Sequence, residues 1–311
     1  MNRFTTTLEQ HSAILAEGAV IERLRRRPGI RLDEHVLHAG FLYRQPEMEI
    51  LAGIYREYLA IGREASLPLV LLTPTWKASF ERLERAGLGG RDVNGDAVRF
   101  LADLRSECGA YAGRVLIGGL VGPRGDAYRP GETLSEREAR RYHAPQLEAL
   151  ARGGADFLLA STLPAAPEAR GLTRAMVATG RPSVLSFIID RTARLLDGTP
   201  LESLIAELDA GPRPAGYLVN CVHHSAMGAA LEQISPGARQ RLLGFQANTS
   251  AKDPEELDGL DYLDAGSPEV FAEALYGLHR DFGLRILGGC CGSDGRHIRH
   301  LAQRLARPAA V

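Results

Sequence analysis

Two adjacent cysteines, Cys290 and Cys291, follow a glycine pair near the C-terminus, in the run Leu287-Gly288-Gly289-Cys290-Cys291-Gly292. A short apolar run, Leu284 to Leu287, precedes them. This layout puts two soft thiol ligands where a buried strand ends and the backbone turns tightly. Cys221 has the same setting far upstream, after Tyr217-Leu218-Val219-Asn220. Three thiolates gathered from strand ends would make an open zinc site, because zinc takes four ligands and a catalytic site leaves one position free. A substrate thiol entering that position would be deprotonated by the metal. A free thiol, with a pKa of about 8.5, stays mostly protonated at neutral pH. Spacing alone leaves two alternatives open: buried cysteines acting as small core residues, or a strained disulfide. Cys108, in the helix-like stretch Ala102 to Tyr111, has no partner at metal-ligand spacing and is read as structural.

The elements that must position these groups are short apolar runs alternating with amphipathic stretches. The candidate strands are Ala13 to Ala16, Leu69 to Leu72, Val115 to Ile117, Phe157 to Leu159, Ser183 to Ile188, Gly216 to Val219, Leu242 to Phe245 and Leu284 to Leu287. Continuous apolar runs without alternation suit strands buried on both faces, as in a parallel sheet. Helical spacing marks Glu49 to Glu64, Ser135 to Arg152 and Asp264 to Phe282. The second opens with a capping box, Ser135-x-x-Glu138, and the third enters through Ser267-Pro268-Glu269. Repeated strand-then-helix units predict an α/β fold, a (β/α)8 TIM barrel, as one domain over residues 1–311. The doubly wound open sheet is the main alternative. In a barrel the active face is built from the loops after the strands. The long irregular segment Arg25 to Glu47 belongs to the first of these.

The 311 residues carry a formal net charge of −1, with acidic groups interspersed among abundant arginines. That balance predicts no nucleic-acid partner. No apolar run reaches the roughly 18 residues of a membrane span. The first residues, MNRFTTTLEQHSAILAEG, lack a signal-peptide core. The expectation is a soluble, cytoplasmic protein in which four cysteines are not a disulfide scaffold. No coiled coil or apolar surface stretch stands out, and a homo-oligomer is compatible with that.

The flanks of the cysteines carry more. GGCCGSDGRHIRHLA and, before it, NCVHH closely resemble the homocysteine S-methyltransferase family. Weaker landmarks follow in family order: Ala16-Glu17-Gly18-Ala19, Thr73-Pro74-Thr75-Trp76-Lys77-Ala78-Ser79, Gly122-Pro123-Arg124-Gly125, Asp197-Gly198-Thr199 and Ala247-Asn248-Thr249-Ser250. The resemblance implies a barrel, zinc as cofactor, and methyl transfer from a small activated donor to the sulfur of homocysteine. It implies zinc ligation by Cys221, Cys290 and Cys291. It also implies a role for Glu17 in binding the acceptor's amino group, with the Gly18 backbone close by. A carboxylate opposite an ammonium is physically apt. Trp76, the one tryptophan, would wall the donor pocket and favour a cationic donor, or would pack between loop and rim. Asn248 would orient substrate or bridge loop backbones.

One departure bears on the acceptor. Where the family carries a glutamate after the fourth strand, this chain reads Ser161-Thr162. Serine supplies no charge, so a thiol or selenol other than homocysteine is an alternative acceptor. A noncatalytic zinc-binding barrel, closed by His224 as a fourth ligand, is the alternative from another class. His223 and His224 are otherwise expected near the pocket mouth, and His297 and His300 on the solvent side or end of the last helix. The partners expected are a thiol acceptor and a methyl donor. The chain leaves no room for folate- or cobalamin-binding modules, so the expectation excludes a multidomain methionine synthase.

Overall fold

Each strand is apolar along most of its length because both of its faces are covered. The computed structural model describes residues 2–252 and 265–306. The strands are β1 (Ile14–Ala16), β2 (Leu69–Leu72), β3 (Val115–Val121), β4 (Phe157–Leu163), β5 (Ser183–Phe187), β6 (Gly216–His223), β7 (Leu242–Asn248) and β8 (Ile286–Gly289). They pair in parallel in chain order, and β8 pairs back onto β1, closing the barrel. The predicted (β/α)8 barrel is therefore the fold, and the open sheet is excluded.

Alternate residues of one strand belong to two cores. Val70 and Leu72 point into the barrel with Ile14, Leu116, Leu159 and Leu218. Leu69 and Leu71 face outward, into the core shared with the helices. This period of two is the pleat of a strand expressed as packing. The helices are α1 (Arg3–Gln10), α2 (Ile21–Arg25), α3 (Glu47–Glu64), α4 (Phe80–Arg85), α5 (Val93–Ser106) and α6 (Glu136–Gly153). They continue with α7 (Ala166–Ala178), α8 (Leu201–Asp209), α9 (His224–Gln233), α10 (Pro236–Arg241), α11 (Pro268–Phe282) and α12 (Gly295–Ala306). The capping box at Ser135 starts α6 as predicted, and Ser267 caps α11. Asp264, the predicted start of α11, lies outside the described residues. Phe4 of α1 stacks on Phe157 with ring centroids 4.3 Å apart, closing the end of the barrel opposite the strand C-termini. Among the described residues no helix is long and apolar enough to cross a membrane.

The strands that carry the site run further than their apolar patterns. β4, β6 and β7 each continue three or more residues past the last predicted position, through Leu163, His223 and Asn248. Ser161, Thr162, Asn220, Cys221 and Asn248 are therefore strand residues, not loop residues. Residues with polar side chains make the same backbone ladder hydrogen bonds as apolar ones, and hydrophobicity is blind to those bonds. The ladder shifts register between Ala160 and Leu163 and between Asn220 and His223. Thr162 (φ +66°) and Cys221 (φ +57°) sit in the left-handed region at these irregularities. Such a conformation is unfavourable for a β-branched residue and persists only where surroundings hold it.

Candidate metal centre

Cys221 projects from the bulged end of β6, and Cys290 and Cys291 follow directly on β8. Their three sulfurs lie within 4.8 Å of one another. Cys221 and Cys290 form a disulfide with a Cα–Cα separation of 5.6 Å, and Cys291 stands free beside them. The oxidised pair thus bridges β6 to β8. When reduced, the three thiols form a compact donor set. Two thiolates on one tetrahedral zinc, each at about 2.3 Å, stand roughly 3.8 Å apart. The observed spread accommodates that spacing, so the residues fit the ion. Among the described residues no His, Asp or Glu joins the cluster. His224 is not a fourth ligand: it opens α9, with its ring tilted against that of His223 at a centroid distance of 3.8 Å. Burial and the neighbouring His223 depress the His224 imidazole to about 4.

The backbone holds this arrangement from several sides. Asn248 Nδ2 donates to Cys221 O at 3.0 Å, and its Oδ1 accepts from Cys291 N at 3.1 Å. One amide thereby ties both cysteine-bearing strands together. Of the two roles expected for Asn248, the structure displays the bridge. Cys290 N donates to Ala247 O at 2.7 Å, and Ser293 Oγ donates to Cys290 O at 2.7 Å. The glycine pair has a local reason as well. A Cβ at Gly288 would lie 2.7 Å from Ala16 O, so β8 approaches β1 too closely for a side chain. Burial, and then the Glu22 carboxylate, raise the Cys291 thiol to about 11. Without a cation in the site this sulfur keeps its proton at neutral pH.

The other predicted residues stand at or just past the C-terminal ends of β1, β2 and β4, on the same rim. Glu17, just past β1, is buried at 6% exposure, and its Oε2 accepts from Leu72 N at 2.9 Å. No cation pairs with it among the described residues, and burial raises its pKa to about 8. Gly18 runs beneath Tyr58 Oη, only 2.8 Å from where a Cβ would stand. Ser161 and Thr162 belong to a neutral network. Ser161 Oγ lies 3.1 Å from Thr162 Oγ1, while Asn220 Oδ1 accepts from Thr162 N at 3.0 Å and from Ser186 Oγ at 2.6 Å. Asn220 thus holds the left-handed turn of Thr162. It was visible in the Asn-Cys pair but not as a strand tie.

Trp76 packs, with Leu196, Val222, Cys290 and Cys291, on a small apolar cluster of Ala127, Ile188 and Cys221. Of its two expected roles the structure displays the packing: it is wedged at the rim, where it also borders the cysteines. One face of the indole already carries Lys77 Nζ, 4.6 Å from the ring centroid. The same ammonium donates to Pro123 O and Gly125 O, and burial lowers it to about 8. Beyond Trp76 lies a cleft of about 460 Å³ lined by Lys77, Arg82, Arg124, Asp126, Glu132 and Tyr142, among others. Sequence reasoning missed Lys77 as a site neighbour, and also Glu22, whose carboxylate accepts from Gly292 N.

Two expectations are corrected. His297 is not solvent-facing: it is fully buried, and Nε2 donates to Ala265 O at 2.7 Å. His300 is half-buried on the solvent side of the last helix, as expected, and faces Glu269. Cys108 lies outside helix; α5 ends at Ser106, and the thiol turns back to Leu104 O at 3.6 Å. Its structural role stands.

The bridge made by Asn248 has a measurable consequence. In Asn248→Asp, an oxygen replaces the amide nitrogen that faces Cys221 O. The expected outcome is a folded protein whose zinc affinity falls by about 10–100-fold, the usual effect of losing a group that orients metal ligands. Competition against a chelator of known affinity measures it.

Fold and site define the class: a (β/α)8 barrel with a three-thiol centre at the C-terminal rim of its strands, where such barrels place their catalysis. A family model described as homocysteine S-methyltransferase matches residues 14–305. The chain therefore belongs to the homocysteine S-methyltransferase family, and it is an S-methyltransferase of that type. It is 24% identical to homocysteine S-methyltransferase YbgG of Bacillus subtilis, over 97% of each chain. It is 26% identical to homocysteine S-methyltransferase of Escherichia coli, over 97% of this chain and 98% of that one. Among solved structures, the metallated form of the Escherichia coli homocysteine methyltransferase MmuM superposes with a TM-score of 0.78. That match has 23% identity and covers 97% of this chain and 100% of the other. The oxidised form of the same protein gives a TM-score of 0.77 at 23% identity, covering 98% and 100%.

Proposed function

We propose that this chain moves a methyl group from a small activated donor to homocysteine or a related thiol, with zinc held by Cys221, Cys290 and Cys291. The observation that carries the reading is the trio of sulfurs within 4.8 Å, with no fourth protein ligand joining them among the described residues. Bound there, zinc would supply the Lewis acidity that draws the proton from an acceptor thiol at neutral pH. The chain's own residues do the rest by positioning. Asn248 and Ser293 fix the backbone of the cysteines. Glu17 offers a carboxylate to the acceptor's ammonium, beside the Gly18 backbone. Trp76, Ala127 and Ile188 form an apolar wall against which a donor methyl meets the sulfur without water. The donor carries a sulfonium, a quaternary ammonium or another activated methyl. A reducing cytoplasm suits this reading, because there the Cys221–Cys290 pair is kept as free thiols.

A specific observation favours a second acceptor. The Ser161–Thr162–Asn220–Ser186 network is neutral throughout, so the wall it forms across β4, β5 and β6 offers an ammonium no carboxylate. A thiol or selenol without an amino-acid head group fits such a wall. Methyl transfer measured across a panel of thiols tests both readings. Under the homocysteine reading, Ser161→Glu adds a charge-assisted bond to the ammonium and raises kcat/KM for homocysteine by about tenfold or more. Simple thiols gain nothing. If wild type prefers simple thiols and Ser161→Glu turns it toward homocysteine, the second acceptor is correct. No methyl transfer to any thiol by the zinc-loaded protein would refute both.

A further inference from the structure

The loop that follows β3 lies against the cysteines, and a buried His–Glu pair holds it. Ala127 of this loop belongs to the apolar cluster of Cys221. Five hydrogen bonds pin the segment just before it. Gly122 N donates to Trp76 O at 2.8 Å. Lys77 Nζ donates to Pro123 O at 2.9 Å and Gly125 O at 2.6 Å. Arg82 donates to Arg124 O at 3.1 Å. Arg124 N donates to Glu168 Oε1 at 2.8 Å.

The last of these is unusual in its chemistry. Glu168 stands in the first turn of α7 and is fully buried. The same Oε1 lies 2.8 Å from His143 Nε2 on α6, where His143 is 1% exposed. Glu168 Oε2 and His143 Nδ1 are both buried without a hydrogen-bond partner. A buried carboxylate with an open oxygen is costly, and apolar side chains commonly replace such pairs without loss of stability. Joining α6 to α7 therefore does not account for this pair. What it does beyond that joint is reach across to a backbone N–H of the loop.

We propose that Glu168 is a positioning residue for methyl transfer: through Arg124 it seats the β3–α6 loop, and with it Ala127 and Trp76, against the cysteines. His143, on the same carboxylate oxygen, belongs to the α6–α7 joint and not to the seat of the loop. An in-line transfer depends on how the donor methyl is held, and a displacement of about 1 Å can cost on the order of 100-fold in rate.

Trp76 is the chain's one tryptophan, and its indole lies across Gly122. Its emission therefore reports the seat of this loop without any turnover. Glu168→Met removes the acceptor while keeping bulk. The expected result is a red-shifted Trp76 emission, easier quenching by acrylamide, and a kcat lower by about tenfold or more with a raised donor KM. Zinc content and acceptor KM stay within about twofold of wild type, because the loop does not touch the ligands' backbone. His143→Gln perturbs the pair but leaves the Arg124 contact, so it lowers Tm and leaves donor KM unchanged. Should Glu168→Met not fold, Glu168→Asp, one methylene short of Arg124, gives the same reading. Unchanged emission and quenching in the folded Glu168 variant would overturn the proposal. So would an identical kinetic change in His143→Gln. The kinetic arm rests on the methyltransferase reading and the emission arm does not, so failure of one is distinguishable from failure of the other.

Discussion

Cys290→Ala is expected to give a folded protein that no longer retains zinc and no longer transfers methyl groups. Cys290 is half-buried at the rim, outside both barrel cores, so its removal leaves the packing of β8 intact. What changes is the donor set. Two thiols, Cys221 and Cys291, then face a site to which no other His, Asp or Glu contributes among the described residues. Groups that merely orient metal ligands are worth about 10–100-fold in affinity, and loss of a ligand itself costs more. Activity falls for two separate reasons. A free acceptor thiol of pKa about 8.5 is only a few per cent thiolate at pH 7. The acceptor also loses its fixed place, and effective molarities for well-positioned reactants reach about 10⁵ M and beyond. Together these give an expected loss of at least about 10³-fold in kcat/KM. Cys108→Ala is the control and keeps both zinc and activity, since that thiol donates to Leu104 O and packs on the helix-side core, apart from the three-sulfur cluster. Metal per chain by elemental analysis, beside circular dichroism, decides the matter. Full zinc retention in folded Cys290→Ala would remove the basis of the proposed mechanism.

The cysteines could be found from sequence because their chemistry and their turn residues coincide in one short run. The barrel was legible for a similar reason: strands such as Leu69–Leu72, buried on both faces, leave unbroken apolar runs that no surface strand would show. Where those runs stop, the pattern stops informing. β6 continues through Asn220 and Cys221, and β7 through Asn248, on hydrogen bonds that hydropathy does not register. The register shifts that turn Thr162 and Cys221 into the left-handed region are equally silent, since neither residue type favours it. Asn248 was legible as a candidate but its role was not, because bridging two strands is a property of distance across the barrel. His297 shows the limit from the other side. A histidine among arginines on the last helix reads as exposed, yet its ring finds Asp294 and Ala265 and is wholly buried. Glu168 and His143 were not found at all. They lie 25 positions apart on different helices, and nothing local links them.

Glu17→Gln is expected to make the ligand-free protein more stable while weakening its hold on an amino-acid acceptor. The carboxylate is buried with one hydrogen bond, from Leu72 N, and desolvation raises its pKa from 4.5 to about 8. The folded state therefore binds this proton more tightly than the unfolded chain does. Between those two pKa values the native state carries the extra proton, so stability falls as pH rises through that window. Above the folded pKa the full penalty applies, on the order of 5 kcal/mol at about 1.4 kcal/mol per unit. Glutamine keeps the shape and can still accept from Leu72 N, and it never ionises. Glu17→Gln should thus raise Tm at pH 8 by several degrees and leave it nearly unchanged at pH 5, flattening the profile. The same change removes the carboxylate proposed to meet an acceptor ammonium. A hydrogen bond to a charged group contributes about 1.5–3 kcal/mol, so KM for homocysteine should rise by about 10–100-fold, while thiols without an ammonium are unaffected. Thermal melts across pH, paired with acceptor kinetics, separate the two effects. A stability that drops at pH 8 would mean that Glu17 is a structural anchor. A KM that rises equally for all thiols would deny it the ammonium. The two shifts together, stability gained and selectivity lost, are what a binding carboxylate held out of water in readiness for a cation must produce.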